Sequence, residues 1–248
     1  GRHVHLYVAG IYWGVYTLHE RPDHHFAESY RGGESRDYNV LKHNLGDVVH
    51  GDDTDLVRFR DLLADRDLES PELFTEVDAL VDLEDFARYM LLNYWAGNTD
   101  WSHQNWYASS AGGAADPRIR FHAWDSELTL KDRDEDVTDK DDPDSPTWFH
   151  RRLIENPAYQ ALFAEMVRTA RVGGILDPDF TSGLYRQRLA EVDAAIRAES
   201  ARWGDNRRRR PYTRGEEWIE ERDRLLERWF PRRTEEVLGQ LEDAGWLR

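Results

Sequence analysis

An apolar stripe that begins after Asp82 constrains the fold more than any other feature of the chain. Its members recur at the spacing of one helix face, and they are Leu83, Phe86, Ala87, Met90, Leu91 and Tyr94. Apolar residues of this size along one face predict a well-buried helix on which other elements pack. The helix is expected to end near Gly97, where the apolar periodicity stops.

Short strands are predicted on both sides of this helix. Alternating apolar residues bounded by turn signals place them at residues 4–8, 11–18, 37–44 and 118–125, and Trp106 and Tyr107 lead into a further short strand. Ala9-Gly10 is expected to form the turn of the first hairpin. Gly112-Gly113 is expected to form the turn before the last strand.

Helical patterns occupy much of the remainder. Pro22 fits the first turn of a short helix, Asp53 or Thr54 is expected to cap a second helix, and a third is predicted near residues 71–80. After residue 147 we expect three or four helices. A strand-rich N-terminal half followed by a helical C-terminal half predicts an α+β protein.

Two apolar stripes mark the helices of the second half. The first is formed by Tyr185, Leu189, Val192 and Ile196, and the second by Ile219, Leu226, Phe230, Val237 and Leu241. Pro231 is expected to kink or split the second stripe because proline cannot donate a backbone hydrogen bond. The charged run NRRRRP at 206–211 separates the stripes and is expected to be a solvated turn.

Charge and composition exclude several classes of protein. A net charge of −16 argues against binding to nucleic-acid phosphates, although screening over ~8 Å leaves room for a small anion such as a nucleotide. No apolar run approaches the ~20 residues that span a bilayer. The absence of cysteine excludes disulfides and Cys-type zinc sites. The chain opens in strand-like sequence without an initiator Met, so we interpret it as a fragment or mature piece of something longer.

Residues 131–147 differ from the rest of the chain. They carry eight acidic residues, three basic residues and two prolines. This composition predicts an exposed loop with little regular structure. We call residues 131–147 the acidic segment.

The stretch NTDWSHQN at residues 98–105 begins where the long helix should end. It is either a polar loop after a helix, or a catalytic carboxylate, Asp100, followed by a metal-binding amide, Asn105. An Asp and an Asn five positions apart occur often by chance in an acidic protein. Asp125, which follows Asp100 by 25 residues beyond a predicted hairpin, favours the second interpretation.

These residue types suit phosphoryl transfer. Such sites use a carboxylate at the attacking hydroxyl, an Asn and an Asp on Mg²⁺, and a Lys on the phosphates. Mg²⁺ prefers oxygen ligands, and Lys supplies a compact charge. Lys42 is notable because only three of the 33 basic residues are lysine, and the other two, Lys131 and Lys140, lie in the acidic segment.

Four motifs in order resemble one known family. They are GIYWGVYTLHERPDHHFAESY, YNVLK, NTDWSHQNWY and AWDSE, and together they cover about residues 4–130. The chain thereby resembles the spore-coat CotH kinase family, an atypical branch of the protein-kinase-like fold. The resemblance implies ATP-dependent phosphorylation of protein Ser/Thr hydroxyls with Mg²⁺ or Mn²⁺. It also implies a location in the spore coat, at the cell surface or outside the cell.

The resemblance assigns a role to each matching residue. Asp100 is the catalytic-loop Asp, Asn105 and Asp125 bind metal, Lys42 contacts phosphate, and Glu20 belongs to the nucleotide pocket. It also implies one domain over residues 1–248, and its parts are partial nucleotide-lobe elements (1–50), a catalytic core (51–130), the acidic segment (131–147) and a helical part (148–248).

Three departures from the family pattern are visible. Glu127 stands where the family commonly has a second Asp, and we expect its carboxylate to assist the metal. Ala9-Gly10 replaces a common Asn-Gly turn. The chain also lacks the Gly-rich loop of ordinary protein kinases, so nucleotide phosphates would be held in another way.

Other interpretations remain open from the sequence alone. Glu20 also fits a surface ion pair with Arg21 or Arg36, and His103 fits a solvated or capping role. Trp124 fits a core or a pocket wall. For the whole chain, one alternative is a catalytically silent CotH-like coat or adhesion protein. Another is a kinase-fold enzyme that transfers AMP or acts on a small molecule.

Overall fold

The computed structural model describes residues 1–64, 66–111 and 116–247, so the predicted turn at Gly112-Gly113 lies outside the described residues. The strands are β1 (Arg2–Val8), β2 (Ile11–Leu18), β3 (Tyr38–Lys42), β4 (Val48–His50), β5 (Trp106–Ala111) and β6 (Arg120–Ala123). The helices are α1 (His24–Arg31), α2 (Thr54–Ala64), α3 (Pro71–Asp78), α4 (Leu83–Ala96), α5 (Pro146–Leu153), α6 (Pro157–Thr169), α7 (Pro178–Val192), α8 (Ile196–Trp203), α9 (Ile219–Arg224) and α10 (Phe230–Asp243). The α+β class is thereby confirmed.

The first two strands form an antiparallel hairpin. Ala9 has φ 50° and Gly10 has φ 79°, which is the pair of positive angles that a two-residue type I′ turn requires. The predicted turn is therefore confirmed. The hairpin packs on α8, where the Glu199 carboxylate accepts a hydrogen bond from the Val15 N–H at 2.8 Å.

The other four strands form an antiparallel sheet in the order β4-β3-β5-β6. Successive side chains of a strand point to opposite faces. One face joins the main core around α4 through Leu41, Ala108 and Phe121. The other face carries a smaller cluster beneath α1 that includes Tyr38, Val40 and Tyr107. Lys42 ends β3 on this second face.

The predicted central helix is confirmed as α4. The Asp82 side chain caps its start by accepting the Asp85 N–H at 3.2 Å. Most of its residues are buried, and Gly97 ends it in the left-handed conformation with φ 58° and ψ 48°. Residues 98–105 therefore begin at a fixed position in the core, directly after the end of this helix.

Gly97→Ala is expected to lower the free energy of unfolding by about 1–2 kcal/mol, because a side chain is strained in the left-handed conformation. The added Cβ would also lie 3.2 Å from the Glu135 Cβ. Gly183→Ala in α7 is the matched control, since its Cβ meets nothing within 4 Å. That control should raise stability by about 0.5–1 kcal/mol. Urea titration of both variants checks the pair, and equal midpoints would contradict it.

The start of the first helix differs from the prediction. Asp23 is its N-cap and accepts the Phe26 N–H at 3.0 Å, so Pro22 precedes the helix instead of lying in its first turn. Phe26 and Tyr30, which are four residues apart in this helix, pack with ring centres 4.6 Å apart. The helix predicted near residues 71–80 is confirmed as α3.

The second half contains more helices than predicted. Six α-helices follow residue 145 in the described part, because the first apolar stripe is divided between α7, which ends at Val192, and α8, which begins at Ile196. The prediction of a single amphipathic helix over that stripe is therefore wrong. The expected interruption near Pro231 is confirmed, since a π-helical turn at Leu225–Trp229 precedes α10.

The acidic segment is irregular, as predicted, but it is not exposed throughout. Val137 and Thr138 are buried. The fully buried Arg233 of α10 donates hydrogen bonds to the carbonyls of Arg133 and Glu135 at 2.6 and 2.9 Å. The expectation of an exposed loop is thus wrong for this part, because its backbone packs inward while most of its carboxylates face solvent.

Candidate active site

The loop after α4 brings Asp100 and Asn105 into contact. The Asn105 amide nitrogen donates to the Asp100 carbonyl oxygen at 2.9 Å and to carboxylate Oδ2 at 3.1 Å. Gln104 donates to Oδ1 of the same carboxylate at 2.8 Å. An amide nitrogen carries two protons, so both Asn105 bonds form together. The Asp100 carboxylate is therefore oriented by two amides while its side chain stays 26% exposed.

The backbone of Asn105 is held by a residue that sequence reasoning missed. Asn105 has φ 63°, a left-handed conformation that Asn tolerates better than most residues. Its N–H donates to Nδ1 of His43 at 2.8 Å. The backbone N–H of His43 in turn donates to the Trp106 carbonyl at 3.0 Å. The only sequence signal for His43 is its position directly after Lys42.

Protonation of His43 is expected to loosen this loop. Partial burial, and then the charge of Lys42, lower the pKa of His43 from its ordinary 6.5, while Asp47 and Asp125 oppose the shift. As the pH falls below about 6.5, an opened loop binds this proton before the closed loop does. The closed loop is thus most stable above that pH.

We therefore expect the rate of amide hydrogen exchange in residues 99–106, relative to that of an unstructured peptide at the same pH, to rise more steeply in wild type than in His43→Asn between pH 6.5 and pH 5. Asn keeps a hydrogen-bond acceptor and tolerates the left-handed backbone, but it does not titrate. The rate is measured at matched ionic strength. Superimposable pH profiles for the two proteins would rule out this role for His43.

Asp125 leaves the sheet beside Asn105. Trp106 of β5 lies opposite Ala123 of β6, so Asn105 and Asp125 emerge from the same end of this hairpin. Asp125 has φ 53° and is exposed. Its charge acts on the His43 imidazole that holds Asn105. The structure thus places Asp125 at the same end of the hairpin as Asn105, to which Asp100 is bonded.

Lys42 lies at the same end of the sheet. It is paired with Tyr107 across β3 and β5, and its Nζ is 5.7 Å from the centre of the Tyr107 ring. The Tyr107 hydroxyl accepts a hydrogen bond from Arg21 at 3.0 Å, and the Trp124 ring lies 5.4 Å from that of Tyr107. Tyr107 is fully buried, so Lys42, Arg21 and the partly exposed Trp124 ring form a wall suited to phosphate and a flat base.

Glu20 is placed apart from this wall. Its carboxylate accepts the Tyr30 hydroxyl at 2.7 Å. Among the ion pairs of the described residues, none joins Glu20 to Lys42, Arg21 or Arg36. Glu20 instead borders a cavity of about 580 Å³ together with Trp124 and Asp125. The structure therefore links Glu20 to Asp125 through a shared cavity.

The oxygen atoms at this sheet end fit a divalent cation that has further ligands. The Asn105 amide is planar and directs its nitrogen to Asp100, so Oδ1 points away from the Asp100 carboxylate. The exposed Asp125 emerges from the same end of the hairpin. Glu127 is exposed in a turn two residues further on. In residues 1–64, 66–111 and 116–247 no three His, Cys, Asp or Glu side chains form a complete metal site. Mg²⁺ commonly takes one or two protein carboxylates with phosphates and water.

This constellation, which follows a buried helix and a β-hairpin, is of the type found in kinases. A family model described as CotH kinase protein matches residues 1–236. The chain therefore belongs to the CotH kinase family, which confirms the resemblance seen in its motifs. No curated protein matches the chain. Within the described residues, no helix has the length and apolar character needed to cross a membrane.

Proposed function

We propose that this chain is an ATP- and divalent-metal-dependent protein kinase, with an atypical kinase-like fold, that phosphorylates Ser/Thr hydroxyls. One observation carries the proposal. The Asn105 side chain bonds both the backbone and the carboxylate of Asp100, while Asp125 leaves the same end of the sheet. This joins a base for the acceptor hydroxyl to two oxygen donors for the metal.

Each residue has a defined task in the proposed reaction. Asp100 orients the acceptor hydroxyl and takes its proton as the hydroxyl oxygen attacks the γ-phosphorus and ADP leaves. Lys42, at the same end of the sheet, neutralises phosphate charge. Asn105 and Asp125, helped by Glu127, would hold Mg²⁺ or Mn²⁺, which when bound neutralises charge on the phosphates.

Two further features belong to this proposal. Glu20 borders the cavity in which the nucleotide is expected to bind, with Trp124 as its aromatic wall. The substrate is a protein with Ser/Thr acceptors, and the family resemblance supports a spore-coat, cell-surface or secreted location.

Labelled ATP distinguishes this reaction from its alternatives. The purified chain is incubated with Mg²⁺ or Mn²⁺ and with ATP labelled at either the γ- or the α-phosphate. We expect metal-dependent γ-label, and no α-label, on the chain itself or on an added protein. Transfer of α-label would show AMP transfer. ATP binding without transfer of either label would instead favour an assembly role for the chain.

A further inference from the structure

The acidic segment contacts the catalytic loop on both sides of Asp100. Before Asp100, the Thr99 carbonyl accepts a hydrogen bond from Lys140 Nζ at 3.1 Å. After Asp100, the Ser102 N–H and hydroxyl both approach the Asp142 carboxylate, at 3.4 and 3.3 Å. Lys140 and Asp142 are two residues apart in the chain. One short stretch of the acidic segment therefore spans the backbone that carries the candidate catalytic carboxylate.

Three buried hydroxyl groups complete this contact. They belong to Ser102, Ser145 and Thr147, and we call them the hydroxyl cluster. The Ser102 Oγ lies 2.7 Å from Ser145 Oγ and 2.7 Å from Thr147 Oγ1, and the latter two are 3.1 Å apart. All three residues are buried. A buried hydroxyl group without a hydrogen-bond partner is costly. The cluster therefore forms only when the loop that carries Ser102 and the acidic segment are correctly packed against each other.

The protons of the cluster can all be satisfied in one arrangement. A carboxylate only accepts, so the Ser102 hydroxyl donates to Asp142. The Ser102 Oγ accepts the Thr147 N–H at 3.3 Å, and Thr147 Oγ1 accepts the Asp142 N–H at 3.2 Å. The Thr147 hydroxyl is then left to donate to Ser102, which fills the second lone pair of Ser102 Oγ, and the Ser145 hydroxyl is left to donate to Thr147 Oγ1. Ser102 and Thr147 are each tied to a fixed backbone donor, which makes the cluster rigid.

We propose that Ser102 and Thr147 are positioning residues that hold Asp100 in its productive place, so that the acidic segment acts as a structural part of the active site. The inference rests on the proposed kinase function. Asn105 and Gln104 orient the Asp100 carboxylate from one side. The hydroxyl cluster fixes the backbone two residues after Asp100, and Lys140 fixes the carbonyl just before it.

The buried position of Ser102 gives the inference its catalytic consequence. Ser102 is fully buried, and its carbonyl also accepts the indole N–H of Trp106 at 2.8 Å. A shift at Ser102 is therefore passed to Asp100 on one side and to β5 on the other. A misplacement of about 1 Å in a reacting group can cost about a hundredfold in rate.

Two substitutions at Thr147 separate positioning from packing. Thr147→Val keeps the shape but removes the hydroxyl, whereas Thr147→Ser keeps the hydroxyl but removes a methyl group. We expect Thr147→Val to lower kcat about tenfold to a hundredfold, with the KM for ATP within about twofold of wild type. Thr147→Ser should keep most of the wild-type kcat. Ser182→Ala, which removes a buried hydroxyl that donates to the Pro178 carbonyl in α7, is the control and should match wild type.

Hydrogen exchange supplies a readout that does not depend on turnover. Amides of residues 99–106 should exchange faster in Thr147→Val than in wild type or Thr147→Ser. Wild-type kcat or unchanged exchange in Thr147→Val would overturn the inference, as would an equal loss of kcat in Thr147→Ser. A wild-type chain that transfers no phosphate would overturn the proposed function and the catalytic role of the cluster, while exchange would still show whether the cluster orders the loop.

Discussion

Asp125→Ala is expected to abolish measurable phosphate transfer, with a loss of about a thousandfold or more. In the proposed mechanism the metal contributes several kcal/mol of charge stabilisation, and about 4 kcal/mol corresponds to a thousandfold. Asp125 is exposed beside Asn105 and is not needed for the core. The variant should therefore fold normally and bind ATP with little dependence on Mg²⁺.

Asp100→Asn should lose activity in a different way. Removing a general base typically costs between about a hundredfold and ten-thousandfold, but the oxygen atoms of Asn105 and Asp125 remain. This variant is therefore expected to keep metal-dependent ATP binding and lose transfer. Calorimetric titration with ATP, with and without Mg²⁺, together with the γ-label assay, distinguishes the two variants.

The control for this pair is Asp205→Ala, which removes an exposed carboxylate in the turn after α8. It should retain wild-type activity and metal dependence. If Asp125→Ala bound ATP with unchanged Mg²⁺ dependence, the metal role of Asp125 would be wrong. If Asp100→Asn transferred phosphate at the wild-type rate, another group would have to accept the proton.

The second large effect is expected from Arg233→Met, which should lower the free energy of unfolding by about 3–5 kcal/mol. Arg233 donates to the carbonyls of Tyr94 and Trp95 at the end of α4, at 2.6 and 2.7 Å. It also donates to the carbonyls of Arg133 and Glu135 in the acidic segment. Burial lowers the pKa of Arg233 to about 10, which reflects the cost of removing its charge from water.

The planar guanidinium satisfies four carbonyls at once, and neither Met nor Lys can replace it. Met leaves these carbonyls without a donor, and each unsatisfied group carries a cost. Arg232→Met, at the exposed neighbouring position, is the matched control and should change stability by less than about 0.5 kcal/mol. Thermal and urea unfolding measure both variants. A change of less than about 1 kcal/mol in Arg233→Met would show that water replaces its hydrogen bonds.

Local patterns in the sequence were enough to predict most elements that position the site. The stripe after Asp82 predicted α4, and the alternation in residues 4–18 predicted the first hairpin with its turn. These features follow from side-chain periodicity within one element, so they are readable without knowledge of the fold. The spacing between Asp100 and Asn105 was informative for the same reason, because both residues lie in one short loop.

Composition was a weaker guide. The charges of the acidic segment predicted exposure, but its backbone carbonyls are bound by Arg233 and its Val137 is buried. Composition describes the side chains only. It contains no information on which partners form hydrogen bonds with the backbone groups. The prediction of one helix over the first apolar stripe of the second half was wrong for a related reason. The apolar periodicity continues across the break between α7 and α8.

The sequence by itself determined the central helix, every strand except β4 and the candidate set of Asp100, Asn105, Asp125 and Lys42. Only the tertiary structure decided which other residues hold that set in place. His43 reaches Asn105 because β3 pairs with β5, and Thr147 reaches Ser102 across 45 residues of chain. Polar contacts between distant segments leave no periodic signal, because they depend on how the elements pack and not on the pattern within any one of them.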